Sequence, residues 1–353
     1  MTQKFSVSEV VSFVSSILAR KGLRTDLAKC MAEVLVESDL LGHRTHGLAL
    51  LKTYIEKIDD GSMSTDGEIS ILSDFGSAFS WDGNKLPGAF VLKRAMEEAI
   101  ARTNEHPVVT ATISECFHIG CLQAYLFQAI ENGMMVIITA TDPESRSVAP
   151  YGGTKGVLTT NPIAFGIPTM GDPILVDICT SLVSNAAVRQ HQANGTRFSS
   201  NCLLSSEGVP TNDPNVLNTT PPGTILPIGG AEYGYKGFAL GLFVEATALA
   251  LSGYNRTVKH ELFREGVFLQ LINPEKFAGG GSFQQAMTAL SDECRASGVA
   301  VAGSPPVRMP GERALELRKE QLVNGLDLPP NVVDELSRCG NALGIELPRP
   351  SFI

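Results

Sequence analysis

A change of hydrophobic period along the chain constrains its fold most. Near the amino terminus Val10, Phe13, Val14, Ile17 and Leu18 fall at i, i+3, i+4, i+7 and i+8, one face of an amphipathic helix. Ser6-Val7-Ser8-Glu9 ahead of them reads as a capping box, and Gly22 predicts the helix end. A second helix is predicted from Thr25, with Ala28, Met31, Ala32 and Leu35 on one stripe, running out near Asp39 to Gly42. From about residue 70 the period alternates. Strands are expected over 108–113, 135–139, 163–167, 174–178 and 267–272, and helices over 90–101, 121–130 and from about 283 to 296, the last after a flexible Gly279-Gly280-Gly281 turn. The stretch 238–251 reads as a buried helix with a small-residue face. Charged helical patterns return after Pro305-Pro306 and on either side of Pro329-Pro330. The expectation is an α/β (mixed) fold with a helical region over 1–70, an α/β core over 71–304 and a helical region over 305–353 that packs back on the first.

Composition narrows the class. The chain has 353 residues, 43% of them hydrophobic and 18% charged, too apolar and too weakly charged for a disordered chain. With 28 Lys+Arg against 37 Asp+Glu the net charge is −9. No basic stripe exists to release counterions from a phosphate backbone, so a small molecule is the expected partner and a nucleic acid is not. The seven cysteines form no CxxC pair, so neither a disulfide framework nor a metal site is expected. The stretch 238–251 is broken by Glu245 and falls short of the about 20 residues a bilayer requires. Met-Thr-Gln-Lys-Phe-Ser at the start lacks an apolar signal region. A cytoplasmic protein without a membrane partner is the expectation.

Ordinary motifs leave the chemistry open. No GxGxxG follows a predicted strand, and GxxxxGK[ST], HExxH and an EF-hand loop are absent. Tyr151-Gly152-Gly153-Thr154-Lys155-Gly156 either brings backbone N–H groups to a phosphate or makes a tight turn. His43-x-x-His46 has metal-ligand spacing but no third ligand nearby in sequence, and two solvated or capping histidines satisfy the same pattern. His118, just after a strand, suits general acid–base work or a satisfied loop position. Nothing in the surrounding sequence lowers the pKa of Cys116, so it is a poor nucleophile. Asp177 ends a strand, where a carboxylate orients an imidazole or a ribose hydroxyl, or caps a helix. Lys236 stands in a glycine-flanked turn opening a helix, a place for an anion or for a solvated lysine.

Taken in order, Asp39-Leu40-Leu41-Gly42-His43-Arg44-Thr45-His46-Gly47, Phe117-His118-Ile119-Gly120, Pro150-Tyr151-Gly152-Gly153, Thr160-Asn161-Pro162, Asp177-Ile178-Cys179-Thr180-Ser181, Pro210-Thr211-Asn212-Asp213-Pro214, Lys236-Gly237 and Met309-Pro310-Gly311-Glu312 resemble the malate/L-lactate dehydrogenase-like family. This non-Rossmann group of NAD(P)-dependent oxidoreductases includes sulfolactate, ureidoglycolate, diketogulonate and cyclic imino acid enzymes. The resemblance runs from about residue 5 to 345. It implies a large, mainly antiparallel sheet with helices, a homodimer, and NAD or NADP held without a Rossmann motif. It implies His46 as the proton donor or acceptor, with His118 competing for that role and Asp177 orienting the imidazole or holding the cofactor. Ile178, Cys179, Lys236, Gly237, Gly311, Glu312 and Arg313 match cofactor-contacting positions. Arg44, Thr45, Thr160 and Asn161 fall on the substrate side.

The departures bear on substrate. The family arginine four residues after the histidine is Leu50, and leucine cannot bind a carboxylate. Either Arg44 or Lys52 substitutes, or the substrate lacks that carboxylate. The motif serine is Thr45, the glycine before Thr-Asn-Pro is Thr159, and the usual Gly-Lys after Asp177 is replaced in Asn185-Ala186-Ala187. A usual Trp and Asp are missing from the stretch 201–206. The leading expectation is hydride transfer between nicotinamide and a 2-oxo acid, 2-hydroxy acid or cyclic imino acid. The alternatives are a reductase of another carbonyl compound, a catalytically weakened ligand-binding paralogue, and a zinc hydrolase built on His43, His46 and His118.

Overall fold

The computed structural model describes residues 3–260, 263–300 and 305–350; the region boundary expected at 304 lies outside them. A short strand β1 (Gln3–Phe5) leads into α1 (Val7–Arg20), α2 (Thr25–Leu40) and α3 (Leu51–Asp59). α1 and α2 pack together through the stripes the period predicts, all of whose residues are buried. Ser6 is the N-cap residue, but its hydroxyl pairs with Ser8 Oγ at 3.2 Å and caps no backbone N–H. The capping box is therefore not formed, and β1, held against a late strand, sets the direction in which the chain enters α1.

The centre is a seven-stranded sheet of β2 (Ser70–Asp74), β3 (Ala78–Asp82), β4 (Val108–Phe117), β5 (Met135–Thr141), β6 (Pro162–Ile167), β7 (Ile174–Cys179) and β11 (Arg264–Ile272). The order is β2-β3-β4-β11-β5-β6-β7, and only β3 and β4 run parallel. It is the large, mainly antiparallel sheet that was expected. α4 (Gly88–Arg102) packs on β4, and α5 (Gln123–Ile130) on β5 and β6. β11 enters between β4 and β5, paired on both edges, which explains its apolar run. Its register against β4 shifts between Glu265 and Val267, a bulge of the kind that re-aims a side chain.

Past β7 come α6 (Asn185–Ala193), a small sheet of β8 (Leu203–Leu204), β9 (Pro210–Thr211) and β10 (Thr224–Ile225), the single turn α7 (Gly230–Tyr233), and α8 (Tyr235–Val244). α8 continues into a π-helical segment, Glu245–Ala250. The expectation of a buried helix here is corrected. Gly237, Gly241, Val244 and Ala248 face the protein, while Leu240, Leu242, Phe243 and Leu251 are exposed. The small residues allow close approach on one side, which turns the large apolar ones outward. α9 (Gly280–Ala296) starts at Gly280, whose N–H donates to Glu275 Oε2 at 2.6 Å, so Gly280 and Gly281 are helical rather than a flexible turn.

α10 (Glu312–Asn324), β12 (Leu326–Leu328) and α11 (Pro330–Asn341) return to the amino-terminal helices. β12 pairs with β1, Gln321 Nε2 donates to Asp39 O and Leu40 O at 3.1 and 3.0 Å, and α11 packs on α1 and α3. One apolar cluster runs from Phe5 through the sheet to Leu336. A smaller one, with Val148, Leu158, Val188, Cys202, Leu203 and Ile225, underlies α6 and the small sheet.

Candidate active site

The loop carrying His46 hangs from one buried carboxylate. Asp39, in the last turn of α2, accepts the Leu48 N–H at 2.6 Å. A Cβ on Gly47 would stand 2.3 Å from Asp39 Oδ2, so this position has room only for glycine. Burial pushes the Asp39 carboxyl up to about 7, against the opposing pull of the Leu48 N–H. The spacing from Asp39 to Gly47 in the sequence is thus a clamp that fixes the residue between them. Thr45 Oγ1 lies 3.1 Å from His46 Nδ1. A hydroxyl both donates and accepts, so it supports either imidazole tautomer.

His118 follows the last residue of β4. Its ring stacks on that of His46, with centroids 6.0 Å apart and planes inclined by 20°. Tyr54 Oη, from α3, lies 2.7 Å from His118 Nδ1, and Glu265 Oε1 lies 3.9 Å from His118 Nε2. Glu265 Oε2 accepts the Ile119 N–H at 2.9 Å. Burial lowers His118 to about 3, helped by repulsion from His46 when that ring is protonated and from the Arg189 cation. Burial raises the Glu265 carboxyl to about 8, partly offset by the Ile119 N–H. At neutral pH His118 is therefore neutral and Glu265 mostly protonated, so no bare charge is buried there. His46 is also lowered by burial, but the Asp177 carboxylate pulls it back up.

Asp177 lies near the end of β7, where Oδ2 accepts the Gln123 N–H at 2.9 Å and the Cys121 thiol at 3.6 Å. Around this strand the other candidate segments assemble. Thr180 N donates to Thr160 O at 3.0 Å. A Cβ on Gly237 would meet Thr180 O at 2.6 Å, and one on Gly311 would meet Leu175 Cβ at 2.6 Å. So α8 and the 309–313 turn both dock on the β7 segment. Lys236 stands exposed in the first turn of α8, its Nζ 5.4 Å from the Tyr233 ring. Ile178 is 45% exposed although apolar. Arg313 is exposed, whereas Glu312 braces its own turn by accepting the Met309 N–H at 2.8 Å. Burial pushes the Cys179 thiol up to about 11.

Three expected substrate contacts are otherwise engaged. Asn161 is fully buried at φ +41°. Its Oδ1 accepts from Thr141 Oγ1 at 2.8 Å, and its Nδ2 donates to Glu245 Oε1 at 2.9 Å and Gly241 O at 3.2 Å. That side chain ties β5 to the α8 segment. Arg44 reaches Asp327 at 3.5 Å and Lys52 reaches Glu335 at 3.7 Å. Both substitutes for the missing arginine are drawn toward the carboxy-terminal region. Leu50 is half-buried against the main core.

The cation that acts on both imidazoles is Arg189 of α6, which the sequence did not single out. Tyr54 and Glu265 were also missed. For Glu265 a signal existed, since Arg264-Glu265 places two charges at the head of an apolar strand. The hydrolase triad is not assembled. His43 Nε2 lies 2.5 Å from Gln123 Oε1, and among the described residues the group close enough to hold a metal is His43, Cys121 and Asp177.

The family model described as malate/L-lactate dehydrogenase matches residues 5–337. L-Lactate dehydrogenase of Cupriavidus necator is 31% identical over 358 residues, 98% of this chain and 99% of that one. Malate/(S)-sulfolactate dehydrogenase of Methanothermus fervidus is 30% identical over 351 residues, 97% of this chain and 98% of that one. The crystal structure of malate dehydrogenase from Entamoeba histolytica superposes with a TM-score of 0.92 at 25% identity, covering 99% of this chain and all of that one. With the family model matching residues 5–337 and two relatives at 30% and 31% identity spanning nearly the whole chain, the chain belongs to the malate/L-lactate dehydrogenase family.

Proposed function

We propose that this chain is an NAD- or NADP-dependent oxidoreductase acting on a 2-oxo acid, a 2-hydroxy acid or a cyclic imino acid. The observation that carries the reading is the stacked His46–His118 pair, with the Asp177 carboxylate acting on His46 and the Arg189 cation on both rings. The residues around β7 fit a nicotinamide dinucleotide. An exposed Ile178 offers an apolar platform, and Lys236 adds a cation to the N–H groups at the start of a ten-residue helix, a setting suited to phosphate. Arg313 adds a further exposed cation beside the same strand.

Bound there, the cofactor supplies or accepts the hydride; the protein supplies geometry and one proton. His46 is the proton carrier in this reading. Its lowered pKa leaves a neutral imidazole to take the proton from a hydroxy acid, and Asp177 stabilises the imidazolium so formed. In the reverse direction the imidazolium protonates the oxygen or nitrogen on which charge develops. His118, held neutral, binds the substrate by hydrogen bond and is itself positioned by Tyr54. Arg189 pairs with the substrate carboxylate, the task that Leu50 cannot perform. This arrangement favours an acid substrate over a carbonyl compound that lacks the carboxylate, and the retained proton machinery speaks against a mere ligand-binding paralogue.

The exposed row of Leu240, Leu242 and Phe243, with Tyr233 and Tyr235 beside it, suits the expected homodimer. A cytoplasmic setting belongs to the same proposal; among the described residues no helix is long and apolar enough to cross a membrane. The test is a fluorescence titration with NADH and with NADPH, followed by a screen of 2-oxo and cyclic imino acids. Saturable binding and turnover of one acid class are expected. Binding of neither nucleotide overturns the reading in favour of the ligand-binding paralogue.

A further inference from the structure

We infer that His43, Cys121 and Asp177 form a site for a zinc-class divalent cation, and that a cation bound there inhibits the enzyme by occupying Asp177. The three side chains come from the loop after α2, the segment before α5 and the end of β7, and each offers one ligand atom within 4.8 Å of the other two. Zinc with sulfur, nitrogen and oxygen ligands at about 2.0–2.3 Å sets those atoms roughly 3.5 Å apart. Cys121 Sγ and Asp177 Oδ2 already stand at 3.6 Å, so only the His43 nitrogen, within 4.8 Å of both, has a gap to close. That ring is held by Gln123 Oε1, 2.5 Å from Nε2, the sort of outer contact that orients ligating histidines. The same Gln123, buried in the protein, also fixes Asp177 through its backbone N–H.

A thiol and an imidazole beside one carboxylate select zinc, cobalt or cadmium over magnesium or calcium, which take oxygen ligands. In the free protein the thiol hydrogen lies between sulfur and the carboxylate; a bound cation takes its place, and the proton is released to solvent as the metal–thiolate bond forms. Three protein ligands leave a fourth tetrahedral position for a water or a substrate oxygen. The cluster shares His43 with the expected His43, His46 and His118 set but not its other two members, whose imidazoles stack on each other. Binding stands on geometry alone; only the inhibitory consequence rests on the proposed roles of Asp177 and His46.

Cobalt(II) serves as the probe. Titration of the full-length protein is expected to give a sulfur-to-cobalt charge-transfer band saturating at one equivalent. The band is lost in Cys121→Ser, weakened at least tenfold in affinity in His43→Gln, and retained in Cys294→Ser, with circular dichroism checking that each variant is folded. Zinc is expected to inhibit turnover of the wild type, reversibly with a chelator, and at least tenfold less potently in Cys121→Ser. Absence of the band in the wild type, or its persistence in Cys121→Ser, overturns the site. A band of normal intensity without inhibition leaves the site standing and overturns the role given to Asp177 in turnover.

Discussion

The two sides of the candidate active site are built differently. On the proton side, His46, His118, Tyr54 and Glu265 sit against the continuous core, and each has a hydrogen-bonding or close polar neighbour within the protein. On the side of α8, Lys236, Ile178, Tyr233 and Tyr235 are exposed, and a row of large apolar residues faces outward. The proposed proton side is preorganised, and the proposed binding surface is not. Substitutions on the first side should act on rate and pH dependence, and those on the second on affinity and assembly.

The largest expected effect is at the centre of the proton side. His46→Ala should lower kcat by at least ~100-fold, the scale of losing an acid–base group. Steady-state kinetics with a direct nucleotide titration checks it. A loss confined to cofactor affinity would move His46 to the other side of the comparison. Arg189→Ala tests the boundary between the two. A charge-assisted hydrogen bond contributes about 1.5–3 kcal/mol, so kcat/KM should fall about 10- to 100-fold, mostly through KM for the acid. An unchanged KM would assign the carboxylate to another group.

On the open side, Phe243→Ser should weaken self-association about 10-fold or more, given the ~1.5–3 kcal/mol that burying such a side chain contributes. Sedimentation velocity reads this directly, and a wild-type protein that is already monomeric refutes it. Lys236→Ala should weaken nucleotide binding by roughly 2- to 5-fold, on the scale of one exposed ion pair, and lower kcat at saturation by less. Equal losses in both would break the division.

A last effect concerns pH and stability rather than rate or affinity. Glu265 holds its proton up to about 8 in the folded chain, against 4.5 for the ordinary carboxyl. Its folded pKa is raised, so its contribution is fully present below 4.5 and is lost as pH rises through about 8. Glu265→Gln should remove that decline, raising Tm relative to the wild type at alkaline pH and leaving the difference smallest near pH 4.5. His118 works in the opposite sense. Lowered from 6.5 to about 3, it erodes stability as pH falls through that interval, and the Gln variant should keep that acid limb.

Local signals carried much of this into the sequence. The α1 and α2 stripes, the central strands and the turn around His46 follow from period and glycine placement, because the forces that set them act over a few residues. The antiparallel order came from the family resemblance and not from any period, since strand neighbours are chosen by chain crossings. The capping box at Ser6 failed because a residue pattern does not say which partner a hydroxyl finds. The 238–251 stretch was misread since a helix with one small face and one large one has the same apolar content whichever side points inward. Arg189, Tyr54 and Cys121 were silent for one reason. Each meets the site only through tertiary packing, from α6, α3 and the segment before α5.

The pairing of β1 with β12 joins the third residue to the 328th, and Gln321 closes on the backbone of Asp39. Contacts this far apart in sequence form late and fold slowly. On the ribosome, the residues that back the His46 loop emerge long after the loop itself. The amino-terminal helices must wait, with their apolar stripes temporarily lacking this cover, until that segment arrives. Order in the His46 loop therefore waits for the synthesis of Gln321 and β12, and a chain stopped before Gln321 would have the histidine in its sequence without the lock that steadies it.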